Sequence, residues 1–411
     1  MLRLVVGLIS LVALAFLLAE FFIVFLLPRR VHRDPAIARA ILRTLWIPWR
    51  AGARLLSRDA ADTMLGIFGP LGLLAILGLL SIGVVLCYTV LYWATSTHVG
   101  AAHPGSFGDC LYFSAGAFVS ATTATPSGGL GKLIQIVEAA NGLGFLAIAI
   151  GYLPALFQAF SRRESAVARL DPRAGSPPSP GRLLERSGER GGWGDLDEYL
   201  LEWETWTAEL METHLSYPIL GYFRSQHIDQ NWLAALTTIV DASAYAIAYG
   251  PEGSTEAAEL TFRIGSHALG DLAYTLSARR VERDPEPRSR DRLPAEDLQE
   301  LRRRLEGSGL HSESDDEACA ERLADLRSVY EPFAIAISRH LALDLPDWVP
   351  RGEVREAWRA VVGGDRRGFY FADCKRYARA KPSRSPSSTR AVSPISWSVR
   401  WSLTIEYGCR T

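Results

Sequence analysis

Three long runs almost free of charge dominate the first 160 residues, and they restrict the fold more than any other feature. Residues 4–27 carry a single charge, Glu20. Leu65 to Trp93 carry none, and Leu133 to Phe160 carry only Glu138. At about 1.5 Å rise per residue, each run crosses a hydrocarbon core of about 30 Å. In lipid every backbone polar group must find an internal partner, so runs of this kind are expected as helices. The first is too long for a signal-peptide apolar region and is followed by no small-x-small cleavage pattern. Pro70 falls near the start of the second run, where a helix tolerates it.

Arginine placement predicts the topology. The 28–62 connection holds Arg29, Arg30, Arg33, Arg39, Arg43, Arg50, Arg54 and Arg58 against three aspartates, whereas residues 94–131 contain no arginine or lysine. Arg162 and Arg163 follow the third run. The positive-inside rule then puts 29–62 and the C-terminal part in the cytoplasm, with 94–131 and the N-terminus outside. A fourth apolar stretch, Trp232 to Tyr249, contains Asp241 and would export the arginine-dense 279–304 region if inserted. It reads as a buried helix of a soluble domain. The chain's net charge of −1 over 411 residues provides no electrostatic case for nucleic acid.

The 94–131 connection is more than a loop. Ser106 or Asp109 can cap a helix start, and Leu111, Ser114 and Phe118 recur at helical spacing. The resulting helix, over 107–119, is too short to span. It is followed by the small, hydroxyl-rich stretch Ser120-Ala121-Thr122-Thr123-Ala124-Thr125 and by Pro126. A helix that stops within the membrane aims its negative end at a cation, and extended backbone after it can offer carbonyls in place of the ion's water. An outward hairpin rich in small residues is the alternative.

The segments Phe107–Ser114 ("FGDCLYFS") and Pro126–Glu164 ("PSGGLGKLIQIVEAANGLGFLAIAIGYLPALFQAFSRRE") resemble the pore-helix and inner-helix region of the bacterial potassium-channel family, the two-transmembrane pore-loop ion channels. Leu170–Pro178 and His214–His227 resemble members that continue into a helical cytoplasmic region. The resemblance implies an all-α membrane protein, a pore-loop channel-type transmembrane domain joined to a helical cytoplasmic domain. It also implies a homotetramer in the bacterial inner (plasma) membrane, with monovalent cations, foremost potassium, and the lipid bilayer as partners. In that frame residues 1–28 are an N-terminal transmembrane helix and 29–62 a basic cytoplasmic connection. Residues 63–163 are a pore domain with outer helix 65–93, pore helix 107–119, filter-equivalent stretch 120–125 and inner helix 133–160. A linker (164–194), a helical cytoplasmic domain (195–365) and a basic tail (366–411) complete the chain.

The filter-equivalent stretch departs from the family's Thr-x-Gly-Tyr/Phe-Gly-Asp. Ser120 retains the first hydroxyl, but Thr122 and Ala124 replace the glycines, Thr123 the aromatic and Thr125 the aspartate. Non-glycine residues at positive φ cost on the order of 1–2 kcal/mol each, so potassium selectivity is expected to be altered or lost. A second register, Ser127-Gly128-Gly129-Leu130-Gly131, runs straight into Lys132 and leaves no room for an outer turn. Gly142 and Gly144 are read as a gating hinge, or as small-residue packing between helices. Glu138, near the outer mouth, is read as attracting ions or bracing the pore helix, and Glu20 as a helix-packing contact.

The C-terminal part reads as helices: a stripe of Leu196, Tyr199, Leu200, Trp203, Trp206 and Leu210, then 230–249, 254–278, 294–306 and 315–343. His214, His227, Glu209, Glu212 and Asp241 match no metal-ligand spacing, and Cys87, Cys110, Cys319, Cys374 and Cys409 form no CxxC. No P-loop, G-x-S-x-G or dinucleotide fingerprint occurs, so neither an enzyme nor a cofactor is expected. The last residues, with eight basic side chains and one acid after residue 374, read as a disordered basic tail near an anionic leaflet or as a frame-shifted end.

Overall fold

The computed structural model describes residues 1–26, 36–99, 106–122, 124–226, 229–251, 255–278, 291–310 and 316–350. These belong to the unit Met1–Arg359, and the second unit, Ala360–Thr411, lies outside them together with the basic tail, Cys374, Cys409 and His227. The described residues are helical throughout, with one isolated bridge between Val99 and Pro126. The protein is an all-α membrane protein.

The three apolar runs form α1 (Leu2–Phe25), α3 (Arg58–Ala94) and α5 (Gly128–Ala174). Each presents many large apolar side chains outward, as lipid-facing helices do, among them Leu8, Val12, Leu74, Ile82, Leu146 and Ile150. The short α4 (Phe107–Phe118) lies against α3 and α5. Phe21 of α1 stacks on Phe145 of α5 with centroids 3.6 Å apart, and Phe25 meets Tyr152 edge-on, so α1 is fastened to the other spans by aromatic contacts.

Two stretches differ from the sequence reading. The 29–62 connection contains an amphipathic helix, α2 (Ala36–Ala53), whose Trp46 packs on Phe68 and Tyr222. Its first turn is capped from α1, because the Glu20 carboxylate accepts from the amides of Ile37 (2.7 Å) and Ala38 (3.2 Å). Glu20 is thus the helix-packing contact expected. The supposed linker 164–194 is ordered structure. Helix α5 runs on to Ala174, burying Ala166, Val167 and Leu170, and α6 (Pro180–Arg190) buries Leu183 and Leu184. Residues 175–179, with Gly175, Pro177 and Pro178, form the turn between α5 and α6, and the apolar positions beside them are core.

The C-terminal bundle adds α7 (Trp193–Ser216), a 3-10 turn (Pro218–Tyr222), α8 (Trp232–Tyr249), α9 (Glu256–Thr275), α10 (Ala295–Glu306) and α11 (Asp316–Leu341). Every residue of α8 is buried, so this apolar helix is the bundle's axis, enclosed by its neighbours. Asp241 on it is satisfied by a bidentate pair with Arg292 (3.1 and 2.5 Å) and by the Tyr330 hydroxyl. Arg292, from the arginine-dense 279–304 region, therefore closes the core. Burying a carboxylate is tolerable only with such partners.

Arg163 joins α5 to the bundle. Buried, it donates to the carbonyls of Leu220 (2.9 Å) and Phe223 (2.8 Å), pairs with Glu164 (2.9 Å) and lies 3.2 Å from His214 Nε2. His214 Nδ1 is 2.8 Å from the Leu210 carbonyl, which assigns the proton to Nδ1 and leaves Nε2 to accept from Arg163. Burial and the adjacent guanidinium push His214 down to about 3; burial, Arg50 and Arg43 push His340 down to about 4. Both rings are neutral in the fold, whereas the unfolded chain binds protons at the ordinary 6.5. Their contribution is complete above that value and is lost as pH falls toward 4. The Tm of detergent-solubilised protein should decline over this window, and less steeply in His214→Gln, as a thermal melt at stepped pH will show.

Candidate functional site

Helix α4 begins with a reciprocal cap. The amide of Asp109 donates to Ser106 Oγ (3.2 Å), and the amide of Ser106 donates to Asp109 Oδ2 (2.9 Å). From there α4 travels down between α3 and α5. Ser114 Oγ lies 2.9 Å from the Val85 carbonyl of α3 and 2.5 Å from Glu138 Oε1 of α5. The Tyr92 hydroxyl donates to Glu138 Oε2 at 2.9 Å. One carboxylate thus joins three helices, and Glu138 is 0% exposed. Of its two readings, ion attraction at the outer mouth and bracing of the pore helix, the contacts within the protomer are those of a brace on α4. A carboxylate in an apolar span requires partners of this kind, and its position opposite Tyr92 and Ser114 provides them.

The end of α4 lies deep. A Cβ added at Gly142 would stand 1.7 Å from the Phe118 carbonyl oxygen. Gly142 is the fifteenth residue of α5, so α4 terminates about 21 Å along that helix at ~1.5 Å per residue. Gly142 is therefore a close-packing position, with a backbone carbonyl in the notch. Gly144 differs. Among the described residues nothing stands within 4 Å of an added Cβ at that position.

The expected filter-equivalent stretch follows. Ser120 adopts φ 56° and ends α4: its amide bonds the Ala117 carbonyl (3.0 Å), and that of Ala121 bonds Gly116 (2.8 Å). This is a Schellman closure with serine at the usual glycine position. Three other helix ends use a non-glycine residue likewise, at Ser96, Ser277 and Ala342. Ala121 and Thr125 are exposed, and Thr122 and Ala124 half-buried; Thr123 lies outside the described residues. The Ala124 carbonyl accepts from Gln135 Nε2 at 3.2 Å. The stretch returns to the start of α5, where Ser127 and His98 exchange hydrogen bonds, Ser127 N to His98 O and His98 N to Ser127 Oγ, both 3.0 Å. Eight extended steps reach at most about 26 Å, enough to retrace α4's descent.

Sequence reasoning placed these residues side by side but missed Tyr92, Ser114 and Arg163 as partners. Each is a polar group at or near an apolar run, and a buried carboxylate with no visible counter-group was the available signal. A cleft where α3 meets the bundle, lined by Arg58, Asp62, Arg224, Gln230, Asn231 and Asp344, has its charges internally paired, Arg224 with Asp62 at 2.8 Å and Arg58 with Asp344 at 3.8 Å. Among the described residues no cluster of histidine, cysteine or carboxylate could hold a metal ion.

No family model matches the chain, and no solved structure matches it. Over 218 residues it is 26% identical to the uncharacterized membrane protein YdjJ of Bacillus subtilis (strain 168), covering 50% of this chain and 60% of that protein. The chain therefore spans less than two thirds of this relative's length. The likeness is to a membrane protein, in keeping with the apolar helices.

Substitutions at the notch and the brace should separate packing from chain flexibility. Gly142→Ala forces α4 off α5 and should lower stability by about 1–3 kcal/mol, whereas Gly144→Ala should be neutral or stabilising by up to about 1 kcal/mol. Glu138→Ala strands the Tyr92 hydroxyl and leaves Ser114 only the Val85 carbonyl, at about 1–3 kcal/mol; Glu138→Gln retains both contacts and should lie closer to the parent. Thermal unfolding in detergent ranks the four.

Proposed function

We propose that the chain is a pore-loop ion channel of the potassium-channel type, conducting monovalent cations as a homotetramer with altered or lost potassium selectivity. Its C-terminal bundle lies in the cytoplasm, on the side of the arginine-rich 28–62 segment. The observation carrying this reading is the depth at which α4 ends, against Gly142. A helix that stops there turns its carbonyl end, with its partial negative charge, toward the middle of the membrane domain. Four such ends around one axis favour a cation over an anion. The exposed apolar residues Leu143 and Phe157 supply positions along α5 at which copies can pack. Gating by bending falls to Gly144, the less encumbered of the two glycines.

Selectivity rests on chemistry that differs from a potassium filter. Ser120 closes a helix, and the Ala124 carbonyl is engaged by Gln135, so the two donate little to an axial ladder of carbonyls. The same two contacts favour a second reading, a non-conducting membrane-anchored scaffold or sensor that keeps the channel architecture.

Flux of potassium, sodium and chloride into liposomes discriminates the two. The channel reading expects cation flux with weak discrimination between potassium and sodium, and exclusion of chloride. Absence of flux at every voltage, pH and lipid composition tried would leave the scaffold. In the joint variant Thr122→Gly, Thr123→Tyr, Ala124→Gly and Thr125→Asp, potassium should gain on sodium. An unchanged ratio would mean that this stretch does not line the path.

A further inference from the structure

Helix α2 is held at both ends by membrane spans. Glu20 of α1 caps its start, and α3 begins five residues after its last turn. Its inward side is committed to protein. Ala38, Trp46 and Ala53 are buried, the Trp46 indole donates to the His340 carbonyl (2.8 Å), and Arg50 donates to the carbonyls of Arg339 (2.5 Å) and His340 (3.1 Å). These contacts occupy the free carbonyl end of α11 and set the rotation of α2 about its axis.

Alongside Arg50 runs an exposed stripe: Arg43, Ile47 and Ala51, with Arg54 just past the last residue of α2, fall at i, i+4, i+8 and i+11. Ile47 is 59% exposed, and Leu55, two residues past the end of α2, is 87% exposed. Between residues 36 and 57 there is no acidic side chain. Exposed aliphatics interleaved with arginines are unfavourable in plain water. At the headgroup level the two kinds separate, with isoleucine and leucine entering the acyl boundary and the guanidinium groups reaching phosphates.

We infer that the Arg43–Ile47–Arg54 face of α2 binds the headgroups of anionic phospholipids at the membrane surface. Charge complementarity and attachment to two spans select a lipid over a protein partner, and the assignment does not depend on ion conduction. Because Arg50 and Trp46, which border this stripe, grip α11, the bound lipid would bear on the bundle through them.

The test uses the full chain in mixed detergent micelles with phosphatidylglycerol and phosphatidylcholine, with retained lipid read by native mass spectrometry. The parent should prefer phosphatidylglycerol, and Arg43→Gln/Arg54→Gln should reduce that preference about tenfold or more. Arg43→Lys/Arg54→Lys should retain most of it, which separates charge from folding. Arg322→Gln, near the far end of α11, should leave it unchanged. Equal retention of the two lipids by the parent, or an undiminished preference in a folded glutamine variant, would overturn the assignment.

Discussion

The Glu138 carboxylate is the point from which the membrane part is organised. It receives Tyr92 from α3 and Ser114 from α4 while belonging to α5. In a medium without water, the carboxylate and the Tyr92 hydroxyl would otherwise be unsatisfied polar groups. Their mutual satisfaction fixes the rotation of three helices and the depth of the shortest. The rest follows sterically: with α4 held there, its last carbonyl meets α5, and only a glycine at position 142 leaves room.

A second buried ion, Arg163, extends that order beyond the spans. Helix α5 is continuous from Gly128 to Ala174, so its upper half packs on α4 and its lower half on the bundle. Arg163 gathers the carbonyls of Leu220 and Phe223, at and just past the 3-10 turn. A single rod thus links the re-entering hairpin to the C-terminal bundle, and movement of one has a direct mechanical route to the other. Within the bundle, the Asp241–Arg292 pair performs the comparable task, closing the core around α8. Such pairs confer specificity of packing more than net stability.

Helix α2 adds a third linkage by another route. Its indole and guanidinium donors are directed to the carbonyl end of α11, where backbone acceptors are left over at any helix terminus. The consequence is a surface helix whose inner side belongs to the protein and whose outer side carries arginine and aliphatic groups together.

What the sequence determined by itself is what short-range physics controls. The charge-free runs specify α1, α3 and α5; the Ser106/Asp109 pair marks the start of α4; and the spacing of Leu196 to Leu210 announces α7. The apolar yet aspartate-bearing 232–249 stretch also read as a buried helix, which its full enclosure matches. Only the tertiary structure decided which polar groups meet. In sequence Glu138 stays open between attracting ions and bracing the pore helix because its partners lie 46 and 24 residues away in the chain, and no local pattern reports such distances. Gly142 and Gly144 are indistinguishable in sequence, yet one faces a carbonyl and the other open space. Ser120 and Ser96 end helices without the glycine that announces such an end, because hydrogen bonds from the following turn offset the strain of positive φ. The 164–194 stretch read as a linker from its prolines and glycines, and became core because helices distant in sequence cover its few apolar side chains.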